Sequence, residues 1–250
     1  MNVAIVLYGQ PRDYLKGYTN IQSFIKKQEN CNFDFFYHCW TLNENEKYKH
    51  AKWREIDENT LIYNKDTESH LQELYNPILH NYENQNNVHF DELLYKNTIA
   101  YNNTKGLKFE NIHNVLFQMY SRNKARDLLN NYINTNKINY DFVLMTRFDI
   151  SVMPEVNFNE LNNKYVYISD IHCPRNIIPD NCIIAEPDVF LDWLNIYENL
   201  KYILNNNTLF QKIISLNEEF EINPEQIVLA NYIFHFKSTE NIRYFKGGTI

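Results

Sequence analysis

The sequence predicts an α/β fold, a mostly parallel sheet flanked by helices, and three observations predict it. Short apolar runs recur without polar alternation, as strands covered on both faces require. Stretches with apolar residues at helical spacing separate them. The first run, the helix after it and the second run are spaced as a βαβ unit, whose strands are parallel and whose crossover is right-handed.

The elements follow in order. Val3 to Leu7 is the first strand, and Gly9-Gln10-Pro11-Arg12 breaks it. Leu15, Tyr18, Ile21 and Ile25 then place a helix over roughly 13–28. Phe33 to Tyr37 is the second strand, ending at His38-Cys39-Trp40. Leu61-Ile62-Tyr63 reads as a short third strand. The polar, Asn-rich stretch 64–110 reads as an irregular insertion or lid with weak helical patches. A strong helix covers about 111–132, and Phe142 to Thr146 is a buried strand. Tyr165-Val166-Tyr167-Ile168 and Cys182-Ile183-Ile184-Ala185 are further strands. Pro187 opens a helix continuing through Val189 to Leu204, because proline is tolerated in a first turn. Asn223-Pro224-Glu225-Gln226 is a helix start, with Asn as cap and Pro at the first helical position, and the helix runs to about Phe234. Asn241 to Phe245 adds an edge strand. No linker or repeat divides the 250 residues, so the chain reads as a single domain.

Composition narrows the function. The formal net charge of −7 argues against a nucleic-acid partner and demands a local basic cluster for any anionic ligand. The 4 cysteines form no Cys-X-X-Cys pair, which points to reduced thiols rather than disulfides or a zinc ribbon. His113, His172 and His235 lack metal-ligand spacing. The opening apolar run is too short for a membrane span and has no basic prefix, so the expected location is cytoplasmic.

The residues with chemistry gather at strand ends, where ligands bind in open α/β sheets. After the first strand come Tyr8, Gly9, Gln10 and Arg12, a turn with a guanidinium fork for phosphate or carboxylate. At the second strand's end, His38 and Trp40 share a face and either contact a base or sugar or stand as a core Trp and a satisfied His. On the helix over 111–132, Gln118, Ser121, Arg122 and Arg126 fall on or beside the apolar stripe. A bare charge on such a stripe is costly, so these arginines meet either protein carboxylates, such as Asp141 or Asp149, or an anionic ligand. Arg147 and Asp149 end the strand at Phe142, and Asp149 is the candidate for metal or diphosphate contact. Its alternative is a salt bridge to Arg147 or Arg122. Asp180 is a loop carboxylate, and Glu225 sits in a first helical turn, where the helix dipole alone would favour it.

The order of these segments resembles putative glycosyltransferases of bacterial surface-polysaccharide clusters and large DNA viruses. The resemblance rests on Gly9-Gln10-Pro11-Arg12, Asp34 to Trp40, Gln118 to Ala125, Tyr140 to Asp149, Pro179 to Ile184 and Pro224-Glu225-Gln226. It implies a GT-A-like, Rossmann-type fold and transfer of a sugar from a nucleoside-diphosphate sugar, UDP- or GDP-linked, to a hydroxyl of a glycan or lipid-linked acceptor. It also implies a divalent cation, Mn²⁺ or Mg²⁺, on Asp149. Arg147 stands where the usual Asp-X-Asp pattern has its first acid, so an arginine could instead neutralise the diphosphate directly. Asp180 is the first choice of general base and Glu225 the second. A nucleotidyltransferase acting on a sugar phosphate would normally show a Gly-rich loop, and Gly9 is the one glycine in this turn. A non-catalytic carbohydrate- or partner-binding protein would pair Arg122 and Arg126 internally.

Overall fold

The computed structural model describes residues 1–48, 58–103, 112–170, 178–179, 181–217 and 223–247. Seven strands form one mixed, mostly parallel sheet flanked by helices, a Rossmann-like arrangement. The strands are β1 (Asn2–Gly9), β2 (Asn32–Thr41), β3 (Leu79–Asn84), β4 (Phe142–Arg147), β5 (Val166–Ser169), β6 (Cys182–Ala185) and β7 (Ile242–Phe245). Their spatial order is β3-β2-β1-β4-β6-β5-β7. β1 is parallel to both β2 and β4, and β2 is parallel to β3. β6 runs antiparallel to β4 and β5, while β7 is parallel to β5.

The helices are α1 (Tyr14–Ile25), α2 (Asp66–Tyr75), α3 (Leu93–Lys96), α4 (Ile99–Asn103) and α5 (Ile112–Asn136). They continue with α6 (Pro187–Trp193), α7 (Ile196–Asn205), α8 (Asn207–Asn217) and α9 (Pro224–Phe236). Among the described residues, no helix is long and apolar enough to cross a membrane.

Strand alternation divides the core. Ala4, Val6 and Tyr8 of β1 join Phe36, Val143 and Met145 in the layer that contains Val115 and Met119 of α5. Val3, Ile5 and Leu7 join Phe142 and Leu144 in the layer with Ile21 and Phe24 of α1 and Leu71 and Tyr75 of α2. Both faces of β1 are covered, which is why its sequence is continuously apolar. The chain moves outward from β1 through β2 to β3. It then returns over α5 to β4, on the other side of β1. The carboxyl ends of β1 and β4 therefore flank the switch point, where open α/β sheets bind ligands.

Three expectations change. Residues 66–84 are not irregular: they form α2 and β3, and β3 extends the sheet beside β2. β3 is a half-buried edge strand of sequence LHNYEN, which carries no aliphatic run to announce it. Leu61-Ile62-Tyr63 is no sheet strand. A 3₁₀ turn covers Glu58–Leu61, and Ile62 makes a single antiparallel bridge to Lys47. The helix expected through Leu204 is also divided, into α6 and α7. Asn223 caps α9 as expected, accepting from the Gln226 N–H at 2.8 Å.

One close approach fixes the site's geometry. A Cβ on Gly17 of α1 would lie 1.7 Å from the Phe148 carbonyl oxygen. Only glycine lets α1 sit against the segment that carries Arg147 and Asp149.

Candidate functional site

The turn after β1 is bracketed by two left-handed residues, Gly9 at φ 101° and Asp13 at φ 48°. Gly9 is suited to this conformation, and Asp tolerates it. The turn sends Arg12 back onto Asp149, with Nη2 3.3 Å from Oδ2. Arg147 grips the same carboxylate, donating from Nε to Oδ1 at 2.8 Å and from Nη2 to Oδ2 at 2.9 Å. Both arginines are largely buried, and the Asp149 side chain is 4% exposed. Two guanidiniums thus converge on one carboxylate at the switch point.

A divalent ion fits this donor set poorly. Both Asp149 oxygens already accept from guanidinium N–H groups. Among the described residues, no group of three His, Cys, Asp or Glu side chains converges.

Arg122 is the exceptional residue. It projects from α5, is fully buried, and lies over the Tyr8 ring with Cζ 5.1 Å from the centroid. Its Nε, Nη1 and Nη2 have no hydrogen-bond partner among the described residues. Tyr8 is paired in register with Arg147 on one side and His38 on the other, so these three positions share a row across the strand ends. Asn181, just before β6, carries a further buried atom, its Oδ1, without a hydrogen-bond partner among the described residues. Its backbone carbonyl accepts from Thr146 near the end of β4, at 2.7 Å.

Arg126, one turn further along α5, behaves differently. It donates to the Leu191 carbonyl at 2.7 Å and pairs with Asp127 at 2.7 Å. Asp141 accepts from the Asn2 N–H and meets neither arginine of α5 in any hydrogen bond or ion pair between described residues.

Ser121 and His38 form a buried relay. The Gly9 N–H donates to Ser121 Oγ at 2.9 Å, and Ser121 Oγ lies 2.8 Å from His38 Nδ1. His38 Nε2 lies 3.1 Å from Glu83 Oε2, and Tyr120 donates to Glu83 Oε1 at 2.9 Å. Because the Glu83 carboxylate only accepts, the neutral imidazole carries its proton on Nε2, and Ser121 Oγ, which accepts from Gly9, donates to Nδ1. Trp40 is 2% exposed, stacked on Tyr120 and edge-on to Phe117. It is core and offers no face to a base, which selects the structural one of its two readings. His38, at 0% exposure, is likewise enclosed, its ring nitrogens meeting Ser121 and Glu83.

The remaining candidates sit apart or outside. Gln10 donates to Gln85 Oε1 at 2.8 Å, tying the β1 turn to the end of β3. Gln118 is half-buried, one helical turn before Arg122. Glu225 occupies the first turn of α9, and its carbonyl lies 3.5 Å from the Ile178 N–H. Asp180 lies outside the described residues, as does His172. The sequence reading names neither Glu83 nor Tyr120 as a site residue; the signal that could have found Glu83 is the alternation of His80 and Tyr82 just before it, after the Asn76-Pro77 turn.

Burial is the main cause holding the His38 imidazole below its ordinary pKa, against the raising effect of Glu83. The unfolded chain therefore binds the proton first as pH falls. The stability from keeping His38 neutral is whole above about pH 6.5 and is lost below it. Denaturant midpoints measured from about pH 7.5 down to about pH 5.5 fall more steeply for the native chain than for His38→Gln, which keeps an N–H for Glu83. Equal slopes would show that His38 does not govern this window.

A concavity also lies away from this cluster. A cavity of about 480 Å³ opens between α1 and α2, lined by Asp13, Tyr14, Asp66, His70 and Glu73 among others. Its carboxylates suit an anionic ligand poorly, so the arginine cluster, not this cavity, defines the candidate site.

No protein-family model matches the chain, and a search of curated proteins finds no match.

Proposed function

We propose that the chain is a glycosyltransferase that moves a sugar from a nucleoside-diphosphate sugar to a hydroxyl of a glycan acceptor. One observation carries the reading: Arg122 is a buried guanidinium without a hydrogen-bond partner among the described residues, at the switch point of a doubly wound sheet. Water cannot solvate it there, so an anion brought against it gains a charge-assisted contact with little competition. Arg12 and Arg147, both held on Asp149, bring two further guanidiniums to the same strand ends.

In the reaction, the acceptor oxygen bonds to the anomeric carbon as the bond to the diphosphate oxygen breaks. Negative charge grows on the departing nucleoside diphosphate, and fixed cations stabilise it. Arg122 meets that charge directly, and Arg12 and Arg147 shape the field around it. The acceptor proton passes to a base, Asp180 first and Glu225 second. In this reading the enzyme works in the cytoplasm and meets a membrane-linked acceptor at the inner surface.

Arg126 favours a narrower alternative. Its internal pairing is what a non-catalytic binding protein would show throughout. Arg122 does not follow it, and that difference favours ligand binding.

Thermal-shift measurements with UDP, GDP, CMP and dTDP, with and without Mn²⁺, test the proposal. A nucleoside diphosphate at a hundred times its Kd stabilises by about 2.7 kcal/mol. In a chain of this size that corresponds to a rise of roughly 5–10 °C. The rise is expected to be the same with Mn²⁺ as with a chelator. Stabilisation by none of the four would overturn the proposal.

A further inference from the structure

We infer that Glu83 is the ribose subsite: its carboxylate receives the vicinal hydroxyl pair of the nucleoside, so the chain takes ribonucleoside rather than 2′-deoxyribonucleoside diphosphates. This rests on the nucleotide reading above and narrows its donor class.

Glu83 stands near the carboxyl end of β3, in register with Trp40. Its two oxygens are held from the protein side, Oε1 by Tyr120 at 2.9 Å and Oε2 by His38 at 3.1 Å. Those hydrogen bonds, His38 first, keep the carboxyl below the usual carboxylate range against the raising effect of burial. It is therefore an acceptor-only group at neutral pH, with a further lone-pair site on each oxygen. The side chain is 28% exposed, although His38 behind it is fully buried. A carboxylate fixed from behind and open in front matches two adjacent hydroxyls, one to each oxygen.

The relay fixes its orientation. Gly9 donates to Ser121, Ser121 donates to His38 Nδ1, and the Nε2 proton is held on Glu83. A surface carboxylate serving only solubility has no need of a fully buried histidine and serine behind it. An acid required to hold one orientation does.

The position suits a nucleotide already anchored at Arg122. Arg122 lies over Tyr8 of β1, Tyr8 pairs with His38 of β2, and His38 meets Glu83 of β3. From β1 to β3 is two strand spacings, about 10 Å. The Gln10–Gln85 hydrogen bond bridges the loops after β1 and β3 over the same interval. Inorganic diphosphate would use the Arg122 end alone, and a nucleotide would use both.

Isothermal titration of the full chain tests this with inorganic diphosphate, UDP, 2′-deoxy-UDP, GDP and 2′-deoxy-GDP. The expected result is ribonucleotide affinity about tenfold or more above the deoxy analogue, the value of a hydrogen bond to a charged group. Glu83→Gln should bring the two within about twofold of each other, since the lost discrimination is that same bond, while binding of inorganic diphosphate is unchanged. Equal affinity of the native chain for both sugars, with diphosphate bound, would overturn the ribose assignment and leave the transferase reading standing. Discrimination that survives in Glu83→Gln would do the same. Binding of no diphosphate compound would remove both together. The comparison of ligands on the native chain holds even where Glu83→Gln loses stability.

Discussion

Arg122→Met raises the melting temperature of the free protein and removes its stabilisation by inorganic diphosphate. The physical basis is the unbalanced state of Arg122. Its guanidinium is fully buried, with three nitrogens lacking hydrogen-bond partners among the described residues. Burying an ion costs several kcal/mol, and each orphaned donor adds about 1–3 kcal/mol. Against this stands the contact with the Tyr8 ring, worth about 2 kcal/mol when desolvated. The free protein is therefore in deficit at this position, and methionine fills the stem's volume without the charge. Replacing buried ions with apolar residues of similar size gains about 1–4 kcal/mol, and in a chain of this length each kcal/mol is worth about 2–4 °C. Arg122→Ala would confuse the reading, because the cavity alone costs about 2–5 kcal/mol. A lower melting temperature for Arg122→Met, with the diphosphate shift retained, would make the arginine a structural cation and end the argument for an anion crevice.

That stability and ligand affinity should move in opposite directions at Arg122 could not be read from the sequence, although the residue itself could. Arg122 and Arg126 stand one helical turn apart on the same stripe and look equivalent by spacing. They diverge because Arg126 reaches the Leu191 carbonyl, a contact set by how α6 packs and not by any local pattern. The sheet was legible where strands are covered on both faces: β1, β4 and β6 are aliphatic because nothing else fills those layers. β3 was not legible. As a half-buried edge it is built from Tyr82, His80 and Asn81, residues that also occur in loops. Missing β3 concealed Glu83, and with it the partner that explains His38. Trp40 stays undecided in the sequence, between stacking platform and core, for the opposite reason. Alternation placed it on the correct face, but only the tertiary packing of Phe117 and Tyr120 showed that face to be filled.

Asp149→Ala is expected to abolish sugar transfer and also to destabilise the fold by about 3–5 kcal/mol, the cost of breaking a buried pair. A carboxylate that only touched ligand would lose turnover at constant stability. The geometry requires both losses, because removing Asp149 leaves Arg147 without its bidentate partner and Arg12 without the same carboxylate. Denaturant midpoints measured beside transfer rates separate the cases. A second variant, Asp149→Leu combined with Arg147→Met, removes charge from both sides of the bidentate pair. It should recover part of the stability lost in Asp149→Leu alone, with a coupling of about 0.5–3 kcal/mol, and recover none of the transfer activity. Additive losses would mean that the two side chains do not depend on each other in solution. Asp149→Ala melting with the native chain would carry the same message from the other side: the carboxylate would then be held loosely enough to turn toward a cation. The tight pairing argues for the reverse order of roles, in which Asp149 positions two arginines whose charge, in the proposed reaction, shapes the field around the diphosphate.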